Sequence, residues 1–405
     1  MNKNSFYKAV APGQKKAFSP WTKFKATVVC NSHIFLSAAI ATILFSVPFY
    51  GYLVNNTRTT DMWVHLEYAQ QIGALSDIKS PHFLYQLLLK LLHFIFGISY
   101  ENATVLALAL CYGGMAAILC YSFHKTSVNK SKFWILVLIP STVLIASHIF
   151  IQSAFQHNFY YGYVAPIVYH NPTQNLSKLI SLLIMTIYYS VIISNSATRK
   201  GLLKLALPIL IILSALAKPS FLIVFLPCAA AVELYRFIFS SRRQAVYNFI
   251  LIAMPAVTAL IFQYLMTFSS PQAGNGLAFA PFLVYGGASD VISKLPGALL
   301  FPLVTLCIAV ATRRLTPRLI FSWFMLVVGL GISFCVVESG PRMMQGNFAW
   351  TGQTVIFLLY AESAFFLFSQ PFNRAWAGWT ALIPHVACGV VWFIAPTLFS
   401  ADLFL

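Results

Sequence analysis

Asp61 and His65 stand four residues apart in TTDMWVHLEYAQQIG, residues 59–73. On a helix this spacing puts both side chains on one face, one turn apart, in line with Tyr68 and Ile72. A carboxylate supported by an imidazole is a general base for a substrate hydroxyl, or a metal ligand. Glu67 lies about 240° round the helix from Asp61 and belongs to another face. Thr59 or Thr60 is placed to cap a helix that opens at Asp61. An acid at that position also suits the helix dipole, so a plain N-terminal acid is the alternative reading of Asp61.

Three further stretches could bind a ligand. QHNFYYGYVAPIVYHNPTQNLSK, residues 156–178, is dense in Tyr, His, Asn and Gln. Aromatic faces stack on sugar rings or isoprenoid and amides hydrogen-bond hydroxyls, so His157, Tyr161, His170, Asn171 and Lys178 suit a carbohydrate or headgroup pocket. An aromatic belt at the membrane surface would explain the tyrosines alone. Thr173 caps or opens the helix that follows. Lys218 sits in Ala217-Lys218-Pro219-Ser220, a break between two apolar halves. Its ammonium is a point charge suited to a phosphate, or a snorkelling helix end. In ESGPRMMQGNFAW, residues 338–350, Arg342 lies between Gly340 and Gly346, ahead of a helix beginning near Asn347. A guanidinium fork beside a helix N-terminus is an anion site, while a Glu338–Arg342 ion pair is the structural alternative. The Gly- and Ala-rich segment 269–290 reads as a mobile cover or acceptor-entry segment.

The elements that must position these residues are membrane helices. Of 405 residues, 59% are hydrophobic and 9% charged, against about 25% charged in soluble domains. Apolar runs of about 20 residues, bounded by short polar breaks, predict an all-α polytopic membrane protein. The runs cover 33–54, 82–97, 101–123, 133–153, 175–194, 204–217, 219–237, 246–267, 293–312, 319–337, 350–370 and 377–398. The second is short, and its polar residues His82, Gln86, Lys90 and His93 form a stripe, so it reads as an amphipathic helix lying in the interface. About 11 transmembrane helices remain (range 10–12).

The net charge of +17 does not indicate a nucleic-acid partner, because the Lys and Arg residues cluster between apolar runs. With 82–97 laid flat, 19 of the 26 basic residues fall on one side, the cytoplasmic side by the positive-inside rule. Seven of the nine carboxylates then fall outside, and Glu233 and Glu362 do not. Residues 1–32 form a basic cytoplasmic tail without a cleavable signal. Residues 33–240 form a core with a first outer loop at 55–81. Residues 241–405 supply C-terminal helices with outer loops at 268–292 and 338–349. The seven cysteines show no paired spacing and read as packing residues. No Walker A motif, GxGxxG motif or soluble domain offers a nucleotide site, so an activated substrate must be membrane-borne or extracytoplasmic.

One span, an outer loop opening with an acid on a short helix, a flat amphipathic helix and then a series of spans: this order resembles the GT-C superfamily of polyprenyl-phosphate-sugar glycosyltransferases. The matching acid is Asp61 in Thr60-Asp61-Met62-Trp63. Ser80-Pro81-His82-Phe83-Leu84-Tyr85 through Phe96-Gly97 resembles the family's second juxtamembrane helix, and Ala217-Lys218-Pro219 a break in a middle span. The resemblance covers the architecture through roughly residue 240. It implies a catalytic Asp61 aided by His65, and a polyprenyl-phosphate sugar donor. It further implies a glycolipid or surface-polysaccharide acceptor and an active site on the extracytoplasmic face of a bacterial inner membrane. His157, Tyr161, His170, Asn171, Lys178, Lys218, Glu338, Arg342 and Asn347 would bind substrate. Asp61 is a lone acid where members carry a pair, which favours a metal-independent base, no cofactor and inversion at the anomeric carbon. A divalent ion at Asp61 is the alternative. A lipid-linked-oligosaccharide flippase and an O-antigen-type polymerase are the competing functions.

Overall fold

The computed structural model describes residues 20–45, 50–56, 61–127, 133–149, 164–167, 169, 171–193, 200–268 and 276–398. Fourteen α-helices run through them: α1 (Pro20–Phe45), α2 (Gly51–Asn56), α3 (Asp61–Gln71), α4 (Leu84–Phe96), α5 (Tyr100–Thr126), α6 (Phe133–Ile145), α7 (Pro172–Tyr188), α8 (Lys200–Ala217), α9 (Ser220–Phe239), α10 (Arg242–Phe268), α11 (Ala288–Ala311), α12 (Pro317–Cys335), α13 (Ala349–Phe368) and α14 (Phe372–Leu398). Seven described helical segments are long and apolar enough to cross a membrane, and the chain is a multi-pass membrane protein. Each of the eleven stretches read as crossings contains a helix, but α6 has only 13 residues, or about 20 Å. α1 begins at Pro20, inside the stretch assigned to the tail, and its apolar run is divided between α1 and α2.

All twenty residues of α13 are buried. A helix that is apolar all round belongs at the centre, and the others pack about it. α12 lies against it, with the Thr351 hydroxyl donating to the Gly329 carbonyl at 3.0 Å. α4 shows why its sequence stripe matters. Tyr85, Gln86, Leu89 and Leu92 are buried, while Leu91, Phe94, Ile95 and Phe96 point outward. Its polar stripe therefore faces protein. Lys90 donates to the Ile72 carbonyl and His93 bonds the Ile98 carbonyl at 2.6 Å. Gly97 ends the helix in the left-handed conformation, φ 61°.

α6 stops at Ile145, and residues 146–149 run on without helical structure. Residues 146–148 are buried, and buried backbone polar groups must find partners in protein. Ser147 N–H donates to the His385 carbonyl at 2.9 Å and Ile149 N–H to the Gly297 carbonyl at 2.8 Å. The His385 ring completes the junction. Its Nε2 accepts the Phe301 N–H at 3.2 Å, so the proton sits on Nδ1 and is donated to the Ser147 carbonyl at 2.6 Å. Tyr360 Oη lies 2.8 Å from the same Nδ1 and donates to the Ala298 carbonyl at 2.7 Å. α14 can approach this backbone only through Gly389, where a Cβ would come within 1.7 Å of the Ile145 carbonyl oxygen. His385→Phe should keep the ring volume but leave a buried donor and acceptor unpaired, at roughly 1–3 kcal/mol each. A thermal melt of the detergent-solubilised variant should show a clearly lowered midpoint; an unchanged midpoint would contradict this role for His385.

Glu362 and Glu233 are both paired with arginine. Arg318 grips Glu362 with two hydrogen bonds of 2.8 and 3.0 Å, and Arg236 meets Glu233 at 3.2 Å. At the other end of the bundle, β1 (Leu277–Phe279) pairs antiparallel with β2 (Val336–Glu338), with Leu277 opposite Glu338. Residues 276–279 are thereby tied to β2. Within the segment 269–290, read as a mobile cover or acceptor-entry segment, this pairing places 277–279 beside β2, while 269–275 lie outside the described residues.

Candidate active site

Asp61 is the first residue of α3, and its carboxylate accepts a 2.6 Å hydrogen bond from the Asn171 side-chain amide. Asn171 is oriented by its own helix. Its Oδ1 accepts from Gln174 N–H at 2.9 Å and from the Thr173 hydroxyl at 2.8 Å. Asn171 is thus the N-cap of α7, with Pro172 in the first helical position. Thr173 supports that cap from the first turn. One side chain thereby both caps α7 and holds the Asp61 carboxylate.

His65 follows one turn along α3, on the same face as Asp61, while Glu67 is exposed on another. The hydrogen bond of His65 goes to Gln86 of α4, with Nδ1 2.8 Å away. The Gln86 amide fits when its oxygen accepts from His65 Nδ1–H and its nitrogen donates to the His82 and Phe83 carbonyls. This fixes Nδ1 as the protonated nitrogen of His65. Burial, helped by the Lys218 charge and opposed by Asp61, holds the imidazole pKa down to about 4. His65 is therefore neutral near pH 7. It lies beside Asp61 in the electrostatic sense and joins α3 to α4 by its hydrogen bond.

Lys178 and Lys218 differ in what holds them. The Lys178 ammonium donates to the Pro166 carbonyl at 2.8 Å and lies over the Phe357 ring. It anchors the segment 164–167 to α7. The Lys218 ammonium lies 4.1 Å from the centroid of the Trp350 ring and makes no hydrogen bond among the described residues. The Pro219 break places it there, since the chain turns between α8 and α9 with Ser177 Oγ donating to the Lys218 carbonyl at 3.4 Å. Burial pushes its pKa down to about 7, and Asp61 pulls it back up.

Arg342 and Glu338 form the ion pair that was one of the two readings of this loop, with Arg342 Nε 3.0 Å from Glu338 Oε2. Asn347 Nδ2 donates to the same Glu338 oxygen at 3.0 Å, and Arg342 Nε also donates to Gln345 at 3.2 Å. Both contacts of Arg342 itself use Nε. The two terminal nitrogens of the guanidinium have no hydrogen bond among the described residues. Gly340 and Gly346 take φ of 75° and 66°, which lets the chain turn tightly on either side of Arg342.

Lys218 and Arg342 share one cavity of about 320 Å³. His82, Glu338 and Asn347 add to its polar lining. Its α10 side is mostly apolar, with Leu260, Tyr264 and Phe268 beside Gln263 and Thr267. α10 lies at the bundle perimeter, with Tyr264 half-exposed and Ile261 and Leu265 facing out. The cavity thus has basic side chains in its lining together with a helix whose outer face is apolar and exposed. Burial holds the His82 imidazole well below its usual pKa, and the nearby charges of Lys218 and Arg342 act in the same direction. Asp61 lies next to this group, close enough to shift Lys218.

Gln263 on α10 lines the cavity and clamps three elements. Its amide nitrogen donates to the Pro81 carbonyl at 3.0 Å and to the Ala215 carbonyl near the end of α8. Gln263→Leu should loosen the His82 segment and reduce ligand affinity several-fold, with a lowered thermal midpoint because two carbonyls lose their donor. Unaltered affinity in a binding titration would show that the clamp is dispensable. Gln263, His82 and Trp350 were not among the residues expected to bind substrate. A lone Gln in an apolar run and a His after Pro81 were the available signals.

Of the expected residues, the structure brings Asp61, Asn171, His65 and Lys218 into one neighbourhood, and Lys218, Glu338, Arg342 and Asn347 around one cavity. Lys178 is buried nearby but engaged with a carbonyl. His157, Tyr161 and His170 lie outside the described residues. Among the described residues no group of three or more His, Cys, Asp or Glu side chains could hold a metal ion. No protein-family model, curated protein or solved structure matches the chain.

Proposed function

We propose that this chain is an integral-membrane glycosyltransferase of the GT-C kind, taking sugar from a polyprenyl-phosphate donor. The observation that supports this reading is the cavity shared by Lys218 and Arg342. Lys218 and the terminal nitrogens of Arg342 suit a phosphate, and α10 offers an apolar surface to the isoprenoid chain from the bilayer side. Asp61 is close enough to Lys218 to raise its pKa, and in this reading the acceptor hydroxyl approaches from the Asp61 side.

In the proposed reaction the acceptor oxygen attacks the anomeric carbon while the bond from that carbon to the phosphate oxygen breaks. The acceptor proton passes to the Asp61 carboxylate. The leaving lipid phosphate keeps the electron pair, and Lys218 and Arg342 stabilise its charge. Asn171 holds the carboxylate in place, and neutral His65 keeps α3 seated on α4. Attack opposite the leaving group gives inversion. The acceptor is a glycolipid or surface polysaccharide, and the site faces the extracytoplasmic side of a bacterial inner membrane, with eleven crossings and the N-terminus in the cytoplasm. The balance of basic loops supports this orientation.

The test is transfer of labelled sugar from a polyprenyl-phosphate donor by purified protein in proteoliposomes, with flipping of the same lipid measured in parallel. Transfer without flipping supports the enzyme. Flipping without transfer would replace it with a transporter.

A further inference from the structure

A second cavity lies at the end of the bundle away from Asp61. It is an apolar groove of about 1190 Å³ between α6, α13 and α14, lined by Ile139, Leu367, Phe368, Trp376, Trp379 and Ile383 among others. α13 runs from Trp350, beside Lys218, to Phe368 in the groove. Those positions are about 27 Å apart along the helix, so the groove is independent of the reading given above for Asp61.

Three observations identify what fills it. First, the groove is apolar and lies between membrane helices, so hydrocarbon, not water, is its natural content. Second, one end is polar: Ser127 and Gln370 line it, and Arg314 donates to Gln370 Oε1 at 3.2 Å. Arg374 is exposed on the first turn of α14, between the groove residues Phe372 and Trp376. Third, among the described residues no carboxylate lines the groove, and the carboxylate on α13, Glu362, is gripped by Arg318. Tryptophans such as Trp376 and Trp379 favour the headgroup level of a bilayer, which sets the polar end at the interface. A second copy docked symmetrically would bring the same arginines together, and like charges oppose that arrangement.

We propose that the groove is a binding site for an anionic phospholipid. Its acyl chains lie against α6 and α14, and its phosphate is held by Arg314 and Arg374. The test uses purified protein in neutral detergent, incubated with equal amounts of phosphatidylglycerol and phosphatidylcholine of identical chains and read by native mass spectrometry. Phosphatidylglycerol should be retained with roughly a tenfold or greater preference, since each basic residue near a headgroup strengthens binding several-fold. The double variant Arg314→Gln, Arg374→Gln should abolish the preference while still retaining lipid. Ala387→Trp, which fills the groove, should reduce retention of both lipids. Equal retention of the two lipids by the unaltered protein would overturn the proposal. So would a preference that survives in the double variant, or retention unaffected by Ala387→Trp. A melt of each variant without added lipid, giving the unaltered midpoint, excludes misfolding as the source of a loss.

Discussion

Asp61→Asn should reduce sugar transfer by about 10²–10⁴-fold, the usual weight of a general base, while the protein folds and binds donor normally. The geometry makes this substitution clean. Asn171 donates to Asp61 Oδ2 at 2.6 Å, and an Asn side chain at 61 retains an oxygen to accept that bond. What is lost is the ability to take up a proton. Asn171 is committed to capping α7 through its Oδ1, so it cannot take over as base. Asp61→Ala would be a poorer test, since it also removes the partner of a buried amide. The measurement is a single-turnover rate with donor saturating, alongside a donor titration. A rate near that of the unaltered protein would remove Asp61 from the chemistry and leave it as a helix-terminal acid.

The second large effect concerns Lys218. Lys218→Met, which keeps length and packing over Trp350, should weaken binding of a polyprenyl phosphate by about 10–100-fold, the range of one charge-assisted hydrogen bond. The same residue gives a pH dependence with a definite sign. Burial pushes its pKa down to about 7, so the cation is fully formed below that pH and is lost as pH rises through it. Affinity for the lipid phosphate should therefore fall between about pH 7 and 8, and Lys218→Met should flatten that limb. His82 and His65 are held neutral by burial in this range and do not produce the limb. Arg342→Gln should lower affinity without removing the pH dependence. A limb that persists unchanged in Lys218→Met would assign the titration to another group.

What was legible in the sequence was what periodicity and charge encode locally. In the stripe His82, Gln86, Lys90 and His93, the last three lie on one face of α4 and His82 just ahead of it, and the phase of α3 separated Glu67 from Asp61 and His65. The break at Lys218-Pro219 could be read because proline interrupts a helix. Pairings between distant segments could not be read. Nothing local joins Asn171 to Asp61 or Gln263 to Pro81 and Ala215. The β1–β2 pairing escaped because each strand is three residues long, too short to show alternation. The end of α6 at Ile145 was hidden for a related reason: its apolar run continues to residue 153. Its termination depends on carbonyls of α11 and α14, and on Gly389 leaving room for the backbone.

The most direct measurement is a structure of the protein with a polyprenyl-phosphate sugar bound. The account predicts the phosphate between Lys218 and Arg342, with its oxygens within about 3 Å of Lys218 Nζ and the terminal nitrogens of Arg342. The lipid chain should run along α10 and the anomeric carbon should face Asp61. A phosphate bound elsewhere, with this cavity empty or the sugar directed away from Asp61, would contradict it.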